Sequence, residues 1–178
     1  MNKRMVGRVL AAAALVSVSG LYGCGEGTAD TPLDAGESQL IEEELGGRSF
    51  RQFDPSRDGS PRKAVILDFS GSRVSLWAQF AEDDRAIHEW EIVSEDFGLV
   101  GNADGSEVTV VLGRSRSERL LPSPCRDCID ATGVSIGIRN VFDADRIAFR
   151  VTDPEGVLPL PFPLFESWTE FEEDEYFE

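Results

Sequence analysis

The sequence is poor in the residues on which metal centres and much acid–base catalysis depend. Its 178 residues include one histidine, His88, together with three cysteines and two lysines. A structural zinc site takes four ligands, usually Cys and His. Cys125 and Cys128 would need two more, and the only other thiol belongs to Cys24. These shortages argue against a zinc centre and against an active site rich in histidine.

Positive charge is also scarce. The chain carries 17 basic and 33 acidic residues, which gives a formal net charge of −16. Because phosphate binding depends on basic side chains that neutralise phosphates, this balance excludes nucleic acid as a natural partner. A strong negative field instead draws in cations or basic partners. No cofactor is predicted.

The first residues have the pattern of a secretory signal. Lys3, Arg4 and Arg8 form a basic start without any acid, and residues 9–18 are almost entirely apolar. A basic region followed by a short apolar segment and a small-residue exit is typical of an export signal. The apolar segment ends by residue 21 and is too short for a membrane-spanning helix, which needs about 20 apolar residues.

Residues Leu21, Tyr22, Gly23 and Cys24 close this segment and resemble the lipobox of bacterial lipoproteins. Leu21 and Gly23 match the apolar and small positions, while Tyr22 departs from the usual small or β-branched residue. The resemblance covers residues 1–25. It implies that residues 1–23 are removed and that Cys24 is lipidated. Because Gly25 is not the aspartate of the retention signal, it also implies an anchor in the outer membrane. The alternative is a plain signal peptide, which would release a soluble periplasmic or secreted protein.

Residues 24–47 are predicted to form an acidic, flexible tether. Residues 25–37 are small and acidic, with almost no apolar surface to offset the entropy of ordering. A short helix is predicted over residues 38–45, with Ser38 as its N-cap and the pair Gly46 and Gly47 as its stop.

Residues 48–165 are predicted to form an antiparallel β domain. Val74, Leu76, Ala78 and Phe80 alternate with polar or outward residues, and three other segments show the same period of two. About eight strands are expected, at residues 49–53, 64–70, 73–80, 87–93, 97–100, 107–112, 134–139 and 146–151. Such spacing predicts an all-β fold, with a sandwich preferred and a small lipocalin-like up-and-down barrel as the alternative.

The end of the chain has two further parts. Residues 158–164 alternate proline with apolar residues, which predicts an extended, polyproline-like strap along the domain. Residues 166–178 are predicted to be an acidic, aromatic tail that either docks on a protein partner or packs on its own domain. The candidate interaction residues are Trp77, Trp168, Phe171, Tyr176 and Phe177.

Cys125 and Cys128 are predicted to form a disulfide, because export places them in an oxidising environment. A redox-active pair is the alternative, but that chemistry is typical of a helix N-terminus in a βαβ unit. Here prolines precede the pair and a strand pattern follows it, so a structural staple is favoured.

The remaining candidates for chemistry are His88 and the carboxylates. His88 lies on the same strand face as Trp90 and Ile92, where a histidine is more often part of the core than a general base. We therefore expect a non-enzymatic binding or assembly module at the envelope, bound to the membrane by lipid. The alternatives are a barrel that binds a small ligand or cation, and a secreted hydrolase that uses carboxylates or His88.

Overall fold

The strands of this protein join into one antiparallel sheet. The computed structural model describes residues 31–52, 62–82, 86–124, 128–143 and 145–173. These residues form one α-helix, α1 (Ala35–Leu45), and a 3₁₀ helix (Phe162–Phe165). The strands are β1 (Ser49–Arg51), β2 (Arg62–Ser70), β3 (Arg73–Glu82), β4 (Ala86–Ser94), β5 (Phe97–Gly101), β6 (Glu107–Leu112), β7 (Ser115–Leu121), β8 (Ile129–Asp130), β9 (Ser135–Arg139), β10 (Arg146–Thr152) and β11 (Thr169–Glu173).

The order of the strands in the sheet is β5-β6-β9-β10-β11-β1-β2-β3-β4-β7-β8. The all-β class is confirmed, but the prediction of about eight strands in a sandwich is not, because the described residues form one continuous sheet of eleven strands. Strands β7, β8 and β11 were not predicted. β7 lacks the alternating apolar pattern that predicts a strand, because its inward positions include Ser115 and Ser117, two buried serines.

One hydrophobic core lies on the inner face of the sheet. In β3 it takes every second residue, and these four side chains are buried: Val74, Leu76, Ala78 and Phe80. Val110 of β6, far away in the strand order, belongs to the same cluster. The rings of Phe69 on β2 and Phe97 on β5 lie 5.4 Å apart between centroids. The sheet therefore curls, so that its β5 edge reaches the side chains of β2.

Helix α1 begins earlier than the sequence indicates. Its N-cap is Asp34 and not the predicted Ser38: Asp34 accepts hydrogen bonds from the backbone of Gly36 and Glu37, and Glu37 accepts one from the Asp34 amide at 2.9 Å. This reciprocal capping box satisfies amides that the first turn leaves unpaired. Ile41 and Leu45 are buried in the core. Part of the predicted flexible tether is therefore packed on the domain.

The proline-rich segment turns instead of running straight. The predicted polyproline path is interrupted by the 3₁₀ helix, whose residues Phe162 and Phe165 are buried. The ring of Phe165 lies 6.0 Å from that of Phe149 on β10, in an edge-to-face arrangement. Burial of these aromatic rings outweighs the local preference of alternating prolines for an extended chain.

Part of the predicted tail is a strand of the sheet. β11 pairs with β10 on one side and with β1 on the other. Phe171, at the centre of β11, has no exposed surface and contacts the rings of Phe149 and Phe165. Residues 174–178 lie outside the described part of the chain.

None of the helices in the described residues is long and apolar enough to cross a membrane.

The burial of Phe171 predicts that the C-terminal strand is required for stability. Phe171→Ala should lower the free energy of unfolding by about 3–5 kcal/mol, because it removes a large core side chain and leaves a cavity. Phe142→Ala, the same change at a ring that is 46% exposed, should cost clearly less. Urea unfolding followed by tryptophan fluorescence would measure both. Equal losses would contradict the position of β11 in the core.

Candidate functional site

Several predicted site residues lie outside the described residues. These are the lipidation residue Cys24, the disulfide residue Cys125, and Tyr176 and Phe177 of the tail. Lipidation of Cys24 and the disulfide therefore stay predictions. Cys128 is described and exposed, just before β8. Hydrogen bonds from Arg116 and, with a smaller effect, from Cys128 hold the pKa of the Glu118 carboxyl below its usual range.

Trp77 lies on the outer face of β3, as predicted, and is half-buried there. Its indole N–H donates to Glu89 Oε1 at 2.7 Å, and its cross-strand neighbours are Ile66 on β2 and Glu91 on β4. Trp168 and Phe171 are close in sequence but lie on different faces of the sheet. Phe171 is in the core, and Trp168 lies against the outer face. The structure therefore does not bring Trp77, Trp168 and Phe171, the three predicted aromatic residues that it describes, together into one surface.

The candidates for catalysis occupy structural positions. His88 is half-buried on β4 and its ring lies 5.9 Å from that of Phe80. Asp143 Oδ1 accepts hydrogen bonds from the amides of Asp145 and Arg146, which lower the pKa of its carboxyl. Within the described part of the chain, no three His, Cys, Asp or Glu side chains are grouped so that they could hold a metal ion.

The sequence also has a match to the Gly-x-Ser-x-Gly pattern of α/β-hydrolases, at Gly133, Ser135 and Gly137. That pattern needs its serine on a sharp turn between a strand and a helix. Ser135 instead begins β9, where it pairs with Val111 and Thr152. The match therefore does not form a nucleophile elbow.

A polar cavity of about 460 Å³ opens beside β11. We call it the β11 cavity. It is lined by Gln52, Lys63, Arg146, Trp168, Thr169, Glu170 and Glu172. Its volume falls within the range of roughly 300–1,000 Å³ that is usual for small-molecule sites. Residues from β2, β10, β11 and the end of β1 meet here, so only the assembled sheet creates this site.

Lys63 supplies a half-buried positive charge to the β11 cavity. Its Nζ donates to the carbonyl oxygen of Leu164 at 3.2 Å and lies 5.7 Å from the ring centroid of Phe165. Burial disfavours the charged form, which lowers the pKa of Lys63 below its ordinary value. Since an ammonium has three N–H donors, two of them remain for a ligand.

Gln52 supplies an acceptor that the protein leaves unused. Its Oε1 is buried and receives no hydrogen bond from any residue that the structure describes. The acidic residues in the cavity are more solvated, and Glu172 is paired with Arg146, with Nη2 and Oε1 separated by 3.1 Å. The β11 cavity thus combines Lys63, which has N–H donors to spare, with Gln52, whose buried acceptor a ligand would reach once the side chain turns toward the cavity.

Trp168 forms one wall of the cavity and is held by two arginines. The guanidinium carbon of Arg139 lies 4.0 Å from the Trp168 ring centroid, and that of Arg150 lies 4.6 Å away. Arg139 is in turn bound to Glu107 on β6, with Nε and Oε2 2.9 Å apart. Gly137 leaves room for the indole, because a Cβ at this position would lie 2.9 Å from Trp168 Cη2.

A second concavity lies between α1 and β2 and is lined by Gln39, Glu42, Glu43, Gly46, Gly47, Asp68 and Phe69. Burial raises the pKa of Glu42. This groove offers acidic groups but no arrangement of ligands around a metal among the described residues. The β11 cavity is therefore the better candidate site.

Sequence reasoning singled out Trp168 but missed Gln52, Lys63 and Arg150. One signal for Lys63 was present, since it shares a strand face with the apolar residues Val65 and Leu67. A charged residue in phase with a core face is a candidate for partial burial. Nothing in the sequence indicates that residues 52 and 63 meet residues 168–172.

Comparisons of the chain with protein-family models, with curated proteins and with solved structures found no match.

The close approach of Trp168 to β9 predicts that alanine substitutions at two glycines change the stability of the protein by very different amounts. Gly137→Ala should displace the indole and lower the free energy of unfolding by about 1–3 kcal/mol, since a well-packed site does not accept an added methyl group. Gly98→Ala on β5 is the matched control, because a Cβ there meets no atom within 4 Å. Chemical unfolding measures both changes, and near-ultraviolet circular dichroism reports on the tryptophan environment. Equal effects would refute the proposed contact.

Proposed function

We propose that this protein is a non-enzymatic binding module of the cell envelope, anchored at the outer membrane through lipid on Cys24. Its function is to hold a small polar ligand in the β11 cavity. The observation that carries the proposal is the unused hydrogen-bonding capacity there. Among the described residues, Lys63 Nζ hydrogen-bonds only the carbonyl oxygen of Leu164, and the buried oxygen of Gln52 receives no hydrogen bond.

The chemistry of the cavity indicates what kind of ligand fits. A buried acceptor that receives no hydrogen bond costs about 1–3 kcal/mol of stability. Burial of the ammonium adds a further penalty while Lys63 is charged. A ligand that places an anionic or carbonyl oxygen near Lys63 would relieve the second penalty. A hydroxyl or amide donor on the same ligand would relieve the first once the Gln52 side chain turns its oxygen toward the cavity. Such penalties are typical of groups that are arranged for binding and not for stability.

A hydrolase has less support. Among the described residues that line the cavity there is no histidine, and His88 contacts the ring of Phe80. Of the two carboxylates in the cavity, Glu172 is engaged with Arg146. The described residues of this site therefore provide no matched pair of groups that could act as general acid and general base.

Assembly through the acidic tail is the second candidate function. The described part of the tail packs on its own domain and not on a partner, because Phe171 is buried and Trp168 stacks with two arginines. A protein partner recruited by this tail would have to use residues 174–178, which include Tyr176 and Phe177.

We also propose that the sheet has a sandwich-like form in which its two halves cover one core. Support comes from the core cluster, which includes Leu76 of β3 and Val110 of β6. The contact between Phe69 and Phe97 supports the same arrangement, since these residues come from β2 and the edge strand β5. The lipocalin-like barrel has no comparable support, because β5 and β8 form no pair with each other in the sheet.

The proposed anchor would orient the domain. Pro32 pairs with Val100 of β5, and the Gly101 amide donates to the carbonyl oxygen of Thr31 at 2.9 Å. Thr31 is seven residues after Cys24, a distance that an extended chain spans in at most roughly 25 Å. Lipid on Cys24 would therefore hold the β5 edge close to the membrane surface.

The ligand proposal predicts that a substitution of Lys63 abolishes ligand binding but leaves the stability of the protein nearly unchanged. Native mass spectrometry of the protein purified from its own membrane should reveal a bound small molecule. Lys63→Met should lose this molecule while the free energy of unfolding changes by no more than about 1 kcal/mol, since a hydrogen bond and a desolvation penalty are removed together. Arg114→Met, which removes an arginine that is 81% exposed, should retain it. Wild-type protein without any adduct, or an adduct unaffected by Lys63→Met, would overturn the proposal.

The anchor has its own test. The intact mass of the protein extracted from its membrane should correspond to a chain that begins at an acylated Cys24. If Cys125 and Cys128 are joined, reduction should add the mass of two hydrogen atoms. An unacylated chain that begins elsewhere would instead indicate a soluble secreted protein.

A further inference from the structure

Arg150 is a half-buried arginine whose charge is balanced by no carboxylate of the residues that the structure describes. It lies on the outer face of β10, opposite Gly137 of β9. Among the described residues its side chain has neither an ion pair nor a hydrogen bond, although the chain has almost twice as many acidic as basic residues. Its neighbour Arg139 differs, because it is bound to Glu107 with Nη2 and Oε2 2.9 Å apart. The cluster around Trp168 therefore presents one uncompensated guanidinium.

The position of Arg150 leaves the end of its guanidinium available. The side chain stacks on Trp168, with 4.6 Å between the guanidinium carbon and the ring centroid. Its Nε is buried without an acceptor. The two terminal nitrogens are not among the buried atoms that lack partners, so they remain accessible to solvent. A guanidinium held in this way offers a rigid fork of two N–H donors, which matches the two oxygens of a carboxylate.

The charges around Arg150 determine which kind of anion the site fits best. Glu107 on β6 and Glu170 on β11 lie on the same outer face as Arg150, and the protein as a whole is strongly acidic. A phosphate dianion would meet repulsion from these carboxylates, with only one free guanidinium to compensate it. A carboxylate carries a single charge and uses both donors of the fork. The site therefore fits a monoanionic carboxylate better than a phosphate.

We propose that Arg150, stacked on Trp168, is a binding site for the carboxylate group of a small-molecule ligand. Arg150 does not line the β11 cavity, so this site goes beyond the function proposed above. Trp168 is common to both sites. A carboxylate bound at Arg150 would reinforce the stack that also forms one wall of the cavity.

The test uses N-acetylglycine as the probe and its uncharged amide as the matched control. In the ¹⁵N-labelled protein, as processed in its own cell, the side-chain N–H signals of Arg150 and Trp168 should shift saturably with N-acetylglycine. The amide should leave them unchanged. Arg150→Met should weaken the response at the Trp168 indole by about tenfold or more, because both hydrogen bonds and the charge are lost. Arg150→Lys should also weaken it, since lysine keeps the charge but not the fork.

Two comparisons decide the outcome. Arg114→Met removes an exposed positive charge elsewhere and should bind the probe as the wild type does. An equal loss in Arg114→Met, or a full response in Arg150→Met, would mean that general electrostatics and not this site attracts the probe. Inorganic phosphate at the same ionic strength should act more weakly than N-acetylglycine. An equal or stronger response to phosphate would overturn the assignment to a carboxylate.

Discussion

The structure depends on the insertion of the last strand between two parts of the sheet that are distant in sequence. β11 has four register pairs with β10 and two with β1. Without it, β10 and β1 would both present open edges, which expose unpaired backbone groups. Phe171 fixes this strand from the inner face, where it packs against Phe149 and Phe165. An acidic segment that looks solvated by composition is thereby part of the fold.

Arginine connects this closing strand to the rest of the chain. Arg48, whose side chain is only 15% exposed, binds Glu44 at the end of α1 and Glu173 at the end of β11, at 3.1 and 2.9 Å. It also donates to the backbone oxygen of Asp143 and stacks on Phe50. A planar guanidinium can serve several acceptors at once, which a lysine ammonium does with less directional precision. The first helix and the last strand are in this way held by one residue.

Both candidate sites are consequences of the same insertion. Trp168 immediately precedes β11, and it lies against the outer face between Arg139 and Arg150 only because the strand is in place. The β11 cavity takes Thr169, Glu170 and Glu172 from the strand itself. Unused donors and acceptors collect at the junction of the two parts of the sheet, where regular pairing of neighbouring strands does not satisfy every polar group. The candidate binding groups and the strand that closes the fold therefore share one location.

The all-β class and most strands follow from the order of residues along the chain, because alternate side chains of a strand face opposite sides and the buried face must be apolar. A helix before β1 was also indicated, although its cap proved to be Asp34. The position of the C-terminal strand and the composition of the candidate site emerge instead from the folded sheet. Strand β7 has serines on its inner face, and β11 has a single core residue, so neither has the local pattern of a half-buried strand. The meeting of Lys63 with residues 168–172 depends on long-range pairing, which no local period encodes.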